Sequence, residues 1–363
     1  MEILNYNFYP LALNIGLVIS SMIVILIVII TATHWQADRK QKCAIAFDRV
    51  NEPLLMSYIE GSTPNTVVIK SMEDNPLEAM RLLMEFSKKL QQPEQSRLLP
   101  LFTALIDVAK ESTALNSPSI KRRLQAAERL GYLKNETSAD ALLHALEDKV
   151  MEIRYCAARS LAAHGQTKHI EPILLAFDTE HEINWLRLVE ITCDYGSSAV
   201  PTLLSVLENT QSKYPNNIIN VAIRALGVLK EQQAVHELIQ LLDHTDFSIR
   251  LNAARALGEI GDPVAIPPIA ELSHDPDWAV RNKAVEAIGK LHAEMHIPIL
   301  TEALCDSSWW VRFSAAQALH SLGITGIEKL KYIMKSTHDV YAHDMCCQVL
   351  GEHDILVINN NPS

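Results

Sequence analysis

The chain has 363 residues, a formal net charge of −11 and 21% charged residues. This acidic balance argues against a nucleic-acid-binding protein, because affinity for nucleic acid comes chiefly from Lys and Arg side chains that neutralise phosphates. Six cysteines occur without a C-x-x-C pair. The sequence therefore predicts neither a disulfide framework nor a zinc site, and scattered free thiols are typical of a reducing compartment.

Residues 11–33 carry no charged side chain and consist mostly of Ile, Leu and Val. As a helix they would be about 34 Å long, enough to cross a hydrocarbon core of about 30 Å. No Lys or Arg precedes this apolar segment and no A-x-A site follows it, which argues against a cleaved signal peptide. We predict a transmembrane helix that follows a short N-terminal tail, residues 1–10.

The charges on either side of this segment predict its orientation. Arg39, Lys40, Lys42 and Arg49 follow it closely, whereas Glu2 is the only charged residue before it. Positive residues stay on the cytoplasmic side. We therefore expect a single-pass protein of the inner, or cytoplasmic, membrane, with its N terminus outside and its remaining residues in the cytoplasm.

Four further segments follow the apolar helix in chain order. Residues 34–75 predict a juxtamembrane helical linker, and 76–118 predict N-terminal capping helices, since Asn75-Pro76 is a favourable helix start. Residues 119–352 form the repeat region described next. Residues 353–363 are expected to be a flexible tail.

The repeat region is organised by the phrase R-x-x-A-A-x-x-L-G, which returns at a basic interval of 31 residues with one interval of 34. It is clearest at 123–131 and 250–258, and with Val and Ile substitutions at 281–289. A fixed period of this size predicts stacked supersecondary units. We expect about eight pairs of helices, with a short apolar first helix and a second helix that carries the phrase. Gly289 is expected to end its helix as a C-cap glycine does.

Longer strings of the form D-x-x-x-x-[VI]-R-x-x-A-A-x-x-L-G, at 148–161, 275–289 and 306–319, resemble HEAT repeats of the phycobilisome-lyase type. The resemblance implies an all-α, right-handed solenoid whose second helices line a groove. It says little about activity, because one fold serves many roles.

Three Asp residues stand six positions before an Arg of the phrase. Each Arg is expected to be half-buried and to need an anion. The pattern predicts a ladder of structural Asp–Arg pairs between adjacent repeats; the alternative is a row of phosphate-binding arginines. The residues are Asp148 and Arg154, Asp275 and Arg281, and Asp306 and Arg312.

Variable positions of the second helices are candidates for binding a partner, although a solvated helix face is the simpler alternative. An aromatic column three positions before the Arg either caps the turns or forms an apolar ridge, since aromatic and Arg side chains dominate binding hot spots. The candidate groove residues are Tyr155, Arg159, Arg224, Leu251, Arg255 and Phe313, and those of the ridge are Trp278, Trp309 and Trp310.

The sequence contains no recognisable catalytic motif. Its 14 histidines do not have the spacing of metal ligands. We therefore predict no cofactor, no metal and no enzymatic activity. The expected function is a membrane-anchored scaffold that inserts residues 11–33 in the bilayer and binds a membrane-associated protein partner in its groove. The alternative is a HEAT-like lyase or another small-molecule-modifying enzyme related to bilin lyases, which predicts an apolar pocket with convergent polar groups.

Overall fold

A computed structural model describes residues 8–91, 93–177, 184–208 and 214–359. Residues 1–7 and 360–363 of the two expected tails lie outside it, as do the side chains of 8–12 and 352–359. All regular secondary structure in the described residues is helical, which confirms the predicted all-α fold. The chain forms two compact units, Met1–Ala109 and Lys110–Ser363.

The first unit is built from one very long helix and several short ones. Pro100 lies in the first turn of α5 rather than inside a longer helix, as proline prefers. The helices are α1 (Phe8–Ile59), α2 (Asn65–Met72), α3 (Pro76–Lys89), α4 (Glu94–Arg97) and α5 (Leu99–Leu105); α6 (Val108–Ala114) contains the boundary between the units.

Helix α1 joins two segments that the sequence analysis treated separately. The expected transmembrane segment 11–33 continues without a break into the expected linker, because no Gly or Pro separates them, and the helix ends only before Gly61. Between Leu13 and Ile30 the large apolar side chains are exposed, whereas Leu55 and Ile59 are buried. In the described part of the chain, α1 is the one helix long and apolar enough to cross a membrane, judged by length and composition.

The second unit alternates first helices with second helices, as the repeat predicts. The second helices carry the phrase. The first helices are α8 (Glu136–Ala145), α10 (Ile170–Leu175), α12 (Val200–Glu208), α14 (Val235–Gln240), α16 (Ile266–Glu271), α18 (Ile297–Ala303) and α20 (Ile324–Ser336). The second helices are α7 (Ile120–Gly131), α9 (Met151–His164), α11 (Trp185–Cys193), α13 (Asn216–Val228), α15 (Phe247–Ile260), α17 (Trp278–Lys290), α19 (Trp309–Ser321) and α21 (Val340–Asn359).

The glycine of the phrase has a different role from the expected one. Gly289 lies inside α17, and the left-handed residue that follows the helix is His292, three positions later. A Cβ on Gly289 would stand 2.7 Å from the Cβ of Ala318 in α19. The C-cap prediction is therefore wrong: this glycine permits the close approach of consecutive second helices. The same contact recurs at Gly131, Gly227 and Gly258.

Candidate functional site

Asp and Arg side chains of adjacent repeats form bidentate ion pairs, which we call the Asp–Arg ladder. Each carboxylate accepts hydrogen bonds from the Arg that lies 25 residues earlier, on the preceding second helix. The Nε–Oδ2 distance is 2.7 Å in every pair, and the side chains are at most 14% exposed. The pairs are Arg123 with Asp148, Arg250 with Asp275, and Arg281 with Asp306.

The ladder aspartates also hold the Arg of their own repeat, but through the backbone. The carbonyl of Asp275 accepts from Nη1 of Arg281 at 2.9 Å, and that of Asp148 accepts from Nη1 of Arg154 at 3.1 Å. Arg312 instead lies over the ring of Tyr341, 4.9 Å from its centroid. These contacts favour the structural interpretation of the arginine row over a phosphate-binding one.

Tyr155, expected in the groove, lies in the core with 3% of its surface exposed. Its ring stacks on Phe177 at 4.6 Å, and the Arg187 guanidinium covers it at 4.4 Å. The hydroxyl accepts from the backbone N–H of Asn184 at 3.0 Å. Tyr155 therefore cannot reach a partner, because the end of α10 and the start of α11 cover it.

Three arginines of the predicted groove share one position on their helices, five residues after the Arg position of the phrase. Arg159 on α9 is exposed, whereas Arg224 on α13 and Arg255 on α15 are half-buried and adjacent. Burial, together with the charge of Arg255, lowers the pKa of Arg224. Among the described residues, neither Arg224 nor Arg255 has a carboxylate within ion-pair distance, although the charge of Glu259 on α15 acts on Arg224 and partly offsets this lowering. This part of the surface is suited to an anion.

Arg224 lines a cleft of about 350 Å³ between α11, α13 and α15, which we call the α13 cleft. Trp185 is one of its lining residues, and Val189 and Val221 supply buried apolar surface. The remaining lining residues are polar: Asn216, Asn217, Asn220, Ser248 and Asn252.

The polar wall of the α13 cleft is fixed by hydrogen bonds between α13 and α15. Asn252 donates to Asn220 at 2.8 Å, Asn220 donates to Ser248 at 2.9 Å, and the Ser248 hydroxyl donates to Asp246 at 2.6 Å. Burial alone would raise the pKa of Asp246, but hydrogen bonds from Ser248 and Asn216 outweigh it and lower the pKa. These asparagines were not predicted from the sequence, although Asn220, like Tyr155, stands one residue after the Arg position of its repeat.

The aromatic candidates of the last repeats form one exposed cluster. On α19, Trp309 stacks on Phe313 with ring centroids 5.2 Å apart and meets Trp310 edge-on at 4.9 Å. Trp278 on α17 is 47% exposed. We call Trp309, Trp310 and Phe313 the α19 aromatic cluster. Leu251, on α15, is half-buried.

The thiols beside these helices are poor nucleophiles. Burial raises the pKa of Cys156 on α9 and of Cys193 on α11 to about 11 in each case. Both are therefore protonated near neutral pH. Among the residues that the structure describes, no group of His, Cys, Asp and Glu side chains is placed to hold a metal ion. The arrangement favours binding an anion over covalent chemistry on this chain.

A family model described as HEAT repeats matches residues 112–188, 200–274 and 267–350. The chain is 28% identical over 153 residues to the bilin biosynthesis protein PecE of Nostoc sp. PCC 7120, a match that covers 41% of this chain and 59% of the relative. The chain thus spans a little over half of that relative's length.

Two solved helical-repeat structures match the chain with TM-scores below 0.5. The complex of CpcE and CpcF of phycocyanin lyase from Nostoc sp. PCC 7120 matches with a TM-score of 0.33 and 18% identity, over 68% of this chain and 94% of that chain. A computationally designed armadillo repeat protein for peptide recognition matches with a TM-score of 0.32 and 19% identity, over 60% and 100%. At these TM-scores neither match supports a conclusion about this chain.

The similarity to a bilin biosynthesis protein contradicts the prediction of a chain without enzymatic function. The prediction was wrong because it relied on catalytic motifs, and repeats of this kind carry none that the sequence reveals. The similarity favours the alternative interpretation, a protein related to bilin lyases, over the scaffold.

Proposed function

The chain belongs to the HEAT-repeat family, and we propose that it is a membrane-anchored, lyase-type protein that binds a linear tetrapyrrole in the α13 cleft. The bilin would be held there for transfer to or from a protein partner. The similarity to a bilin biosynthesis protein supports this substrate class.

The observation that carries the proposal is the adjacent pair of half-buried arginines, Arg224 and Arg255, which form no ion pair among the described residues, although the charge of Glu259 acts on Arg224. Two like charges in a partly desolvated site repel each other, and an anion placed between them relieves the repulsion. A bilin carries two propionate groups on a flat conjugated framework. Its carboxylates match Arg224 in the cleft and the adjacent Arg255, which lies outside the cleft lining, and its rings match the apolar surface of Trp185 and Val221.

The polar wall of the cleft suits the rest of such a ligand. The amides of Asn220 and Asn252 are already oriented, because Asn252 donates to Asn220 and Asn220 donates to Ser248. Their remaining N–H and C=O groups can bond to the pyrrole N–H groups and terminal lactam oxygens of a bilin. The cleft lies within the usual size range of small-molecule sites, about 300–1,000 Å³.

The protein's contribution to the reaction would be to bind and orient the bilin. Because the thiols of Cys156 and Cys193 have pKa values of about 11, they are not suited to form the covalent link to a bilin. The thiol that does so would belong to the acceptor protein. The α19 aromatic cluster is a suitable docking surface for such a partner, since exposed Trp side chains are typical binding hot spots.

Helix α1 would place this activity at a membrane. Its exposed apolar segment supports insertion in a bilayer, and the positive residues that follow support a cytoplasmic location for the chain beyond Trp35. An anchor raises the effective concentration of the protein for partners at the same membrane.

A titration of the full-length protein in detergent with biliverdin tests the proposal through the absorbance and fluorescence changes of the bound pigment. Replacing Arg224 and Arg255 together by Gln should weaken binding about tenfold or more, because each hydrogen bond to a charged group contributes about 1.5–3 kcal/mol before screening by solvent.

The matched control is the double replacement K121Q and R122Q, which removes the same charge from exposed positions on α7. It should leave the affinity within about twofold. Absence of biliverdin binding by the wild-type protein, or equal losses in the two double variants, would refute a bilin site at the arginine pair.

A further inference from the structure

A second cavity lies within the first unit, where α1 passes the start of α3. Its volume is about 490 Å³. Seven of its lining residues come from two turns of α1, between Gln36 and Cys43, and from the first turn of α3. The lining residues are Trp35, Gln36, Arg39, Lys40, Cys43, Asn75, Pro76, Leu77 and Glu78.

The charges in this cavity are positive on balance. Arg39 and Lys40 have no carboxylate partner among the described residues. The one acidic lining residue, Glu78, is engaged by Arg81, whose Nε lies 2.7 Å from its carboxylate. The Arg39 guanidinium carbon stands 5.6 Å from the ring centroid of Trp35, so that ring helps to hold it. Two cations therefore remain available to an anion.

The cavity also presents apolar surface next to its charges. Leu77 is 70% exposed and Trp35 is 64% exposed, although both are large apolar side chains. A free phosphate ion would leave this surface in water. A ligand that combines an anionic head with hydrocarbon would cover it.

The position of the cavity along α1 indicates which kind of anionic ligand it binds. Trp35 follows residue 33, the end of the apolar segment, by two residues, and Arg39 follows it by six. At 1.5 Å per residue these positions lie about 3 Å and about 9 Å beyond that end. The headgroup region of one leaflet is about 5–8 Å deep. Trp35 and Arg39 thus bracket the depth at which lipid phosphates lie.

We infer that this cavity between α1 and α3 binds the headgroup of an anionic phospholipid, with Arg39 and Lys40 on its phosphate and Trp35 and Leu77 against the adjoining hydrocarbon. The inference rests on the membrane anchor of the proposed function, and it is independent of the α13 cleft. The bound lipid would join α3 to the membrane surface and so fix the first unit against the bilayer.

Native mass spectrometry of the full-length protein in detergent, titrated with dioleoylphosphatidylglycerol or with dioleoylphosphatidylcholine, tests the site. One anionic lipid should bind in preference to the zwitterionic lipid with the same chains. The double variant R39Q and K40Q should lose affinity for the anionic lipid by about 30-fold, the equivalent of about 1 kcal/mol per cation.

The matched control is K42Q with R49Q, which removes two exposed cations from the same helix outside the cavity. It should bind the anionic lipid within about twofold of wild type. Equal losses in both double variants, or no preference for the anionic lipid, would overturn the site.

Two further measurements separate the sources of failure. sn-Glycerol 1-phosphate should compete only weakly, and competition as strong as that of the lipid would show a site for free phosphate esters and overturn the inference. Recovery of the protein in the membrane fraction should precede the titration. A soluble wild-type protein refutes the anchor, whereas a membrane-bound protein without lipid preference refutes only the headgroup site.

Discussion

Replacing Arg281 by Met removes one ion pair of the Asp–Arg ladder while keeping most of the apolar stem. The guanidinium donates to both carboxylate oxygens of Asp306, at 2.7 Å and 2.8 Å. It also donates to the carbonyl of Asp275 at 2.9 Å. The variant therefore removes the ion pair between the α17 and α19 repeats and the hydrogen bonds to the carbonyls of Asp275 and Pro276 within its own repeat.

The magnitude follows from the burial of the pair. The Arg281 and Asp306 side chains are 14% and 11% exposed, and removal of one partner from a buried ion pair costs about 3–5 kcal/mol. Asp306 still accepts from the backbone N–H of Ser308 at 2.7 Å, which favours the lower end. We expect a loss of about 3 kcal/mol, or about 6–12 °C in Tm for a unit of this size.

Thermal unfolding of the full-length protein, followed by circular dichroism, measures this loss. A double-mutant cycle with Asp306→Asn isolates the pair. We expect a coupling energy of about 2 kcal/mol, and a value below about 0.5 kcal/mol would refute the ladder as a stabilising device. Arg122→Met, at an exposed position of α7, should change Tm little.

Two further predictions concern packing and reactivity. Gly258→Ala should destabilise by about 1–3 kcal/mol, because its Cβ would stand 2.8 Å from that of Ala287; in contrast, Gly351→Ala, with nothing within 4 Å, should gain slightly from helix propensity. Equal Tm changes for the two variants would contradict this role for glycine. At pH 8, Cys156 and Cys193 should react with iodoacetamide over tenfold more slowly than exposed Cys43, since a pKa of about 11 leaves only about one thiolate in a thousand. Mass spectrometry of timed samples measures the rates, and comparable rates would contradict the burial of these thiols.

The helices of the second unit could be predicted because the repeat imposes the same local pattern many times. Paired small residues such as Ala253 and Ala254 are fully buried, as the phrase requires. The role of Gly289 could not be predicted in this way. Local sequence patterns predict that a glycine near a helix end is a C-cap. The contact of Gly289 with Ala318 depends instead on how closely the next helix packs, which the local sequence does not show.

The candidate site was predictable only in part, because register along a helix does not decide exposure. Tyr155 and Asn220 occupy the same position in their repeats, yet Tyr155 is buried beneath Arg187 and Phe177 while Asn220 lines the α13 cleft. The difference arises from the neighbouring elements. Tyr155 lies in the repeat that precedes the one interval of 34 residues, where equivalent positions of neighbouring repeats no longer follow the 31-residue period.

Helix α15 shows how a repeat protein separates stability from binding. It carries Arg250, which is held by both carboxylate oxygens of Asp275, and five residues later Arg255, which has no such partner among the described residues. The ladder arginine matches an Asp that recurs with the repeat, so its charge is neutralised in the folded protein. Arg255 and Arg224 belong to variable positions and remain half-buried beside each other. Like charges in such a place do not stabilise the fold, and the nearby charge of Glu259 offsets them only in part and without an ion pair. The arginine pair is therefore the place where we propose that an anion from outside the chain binds.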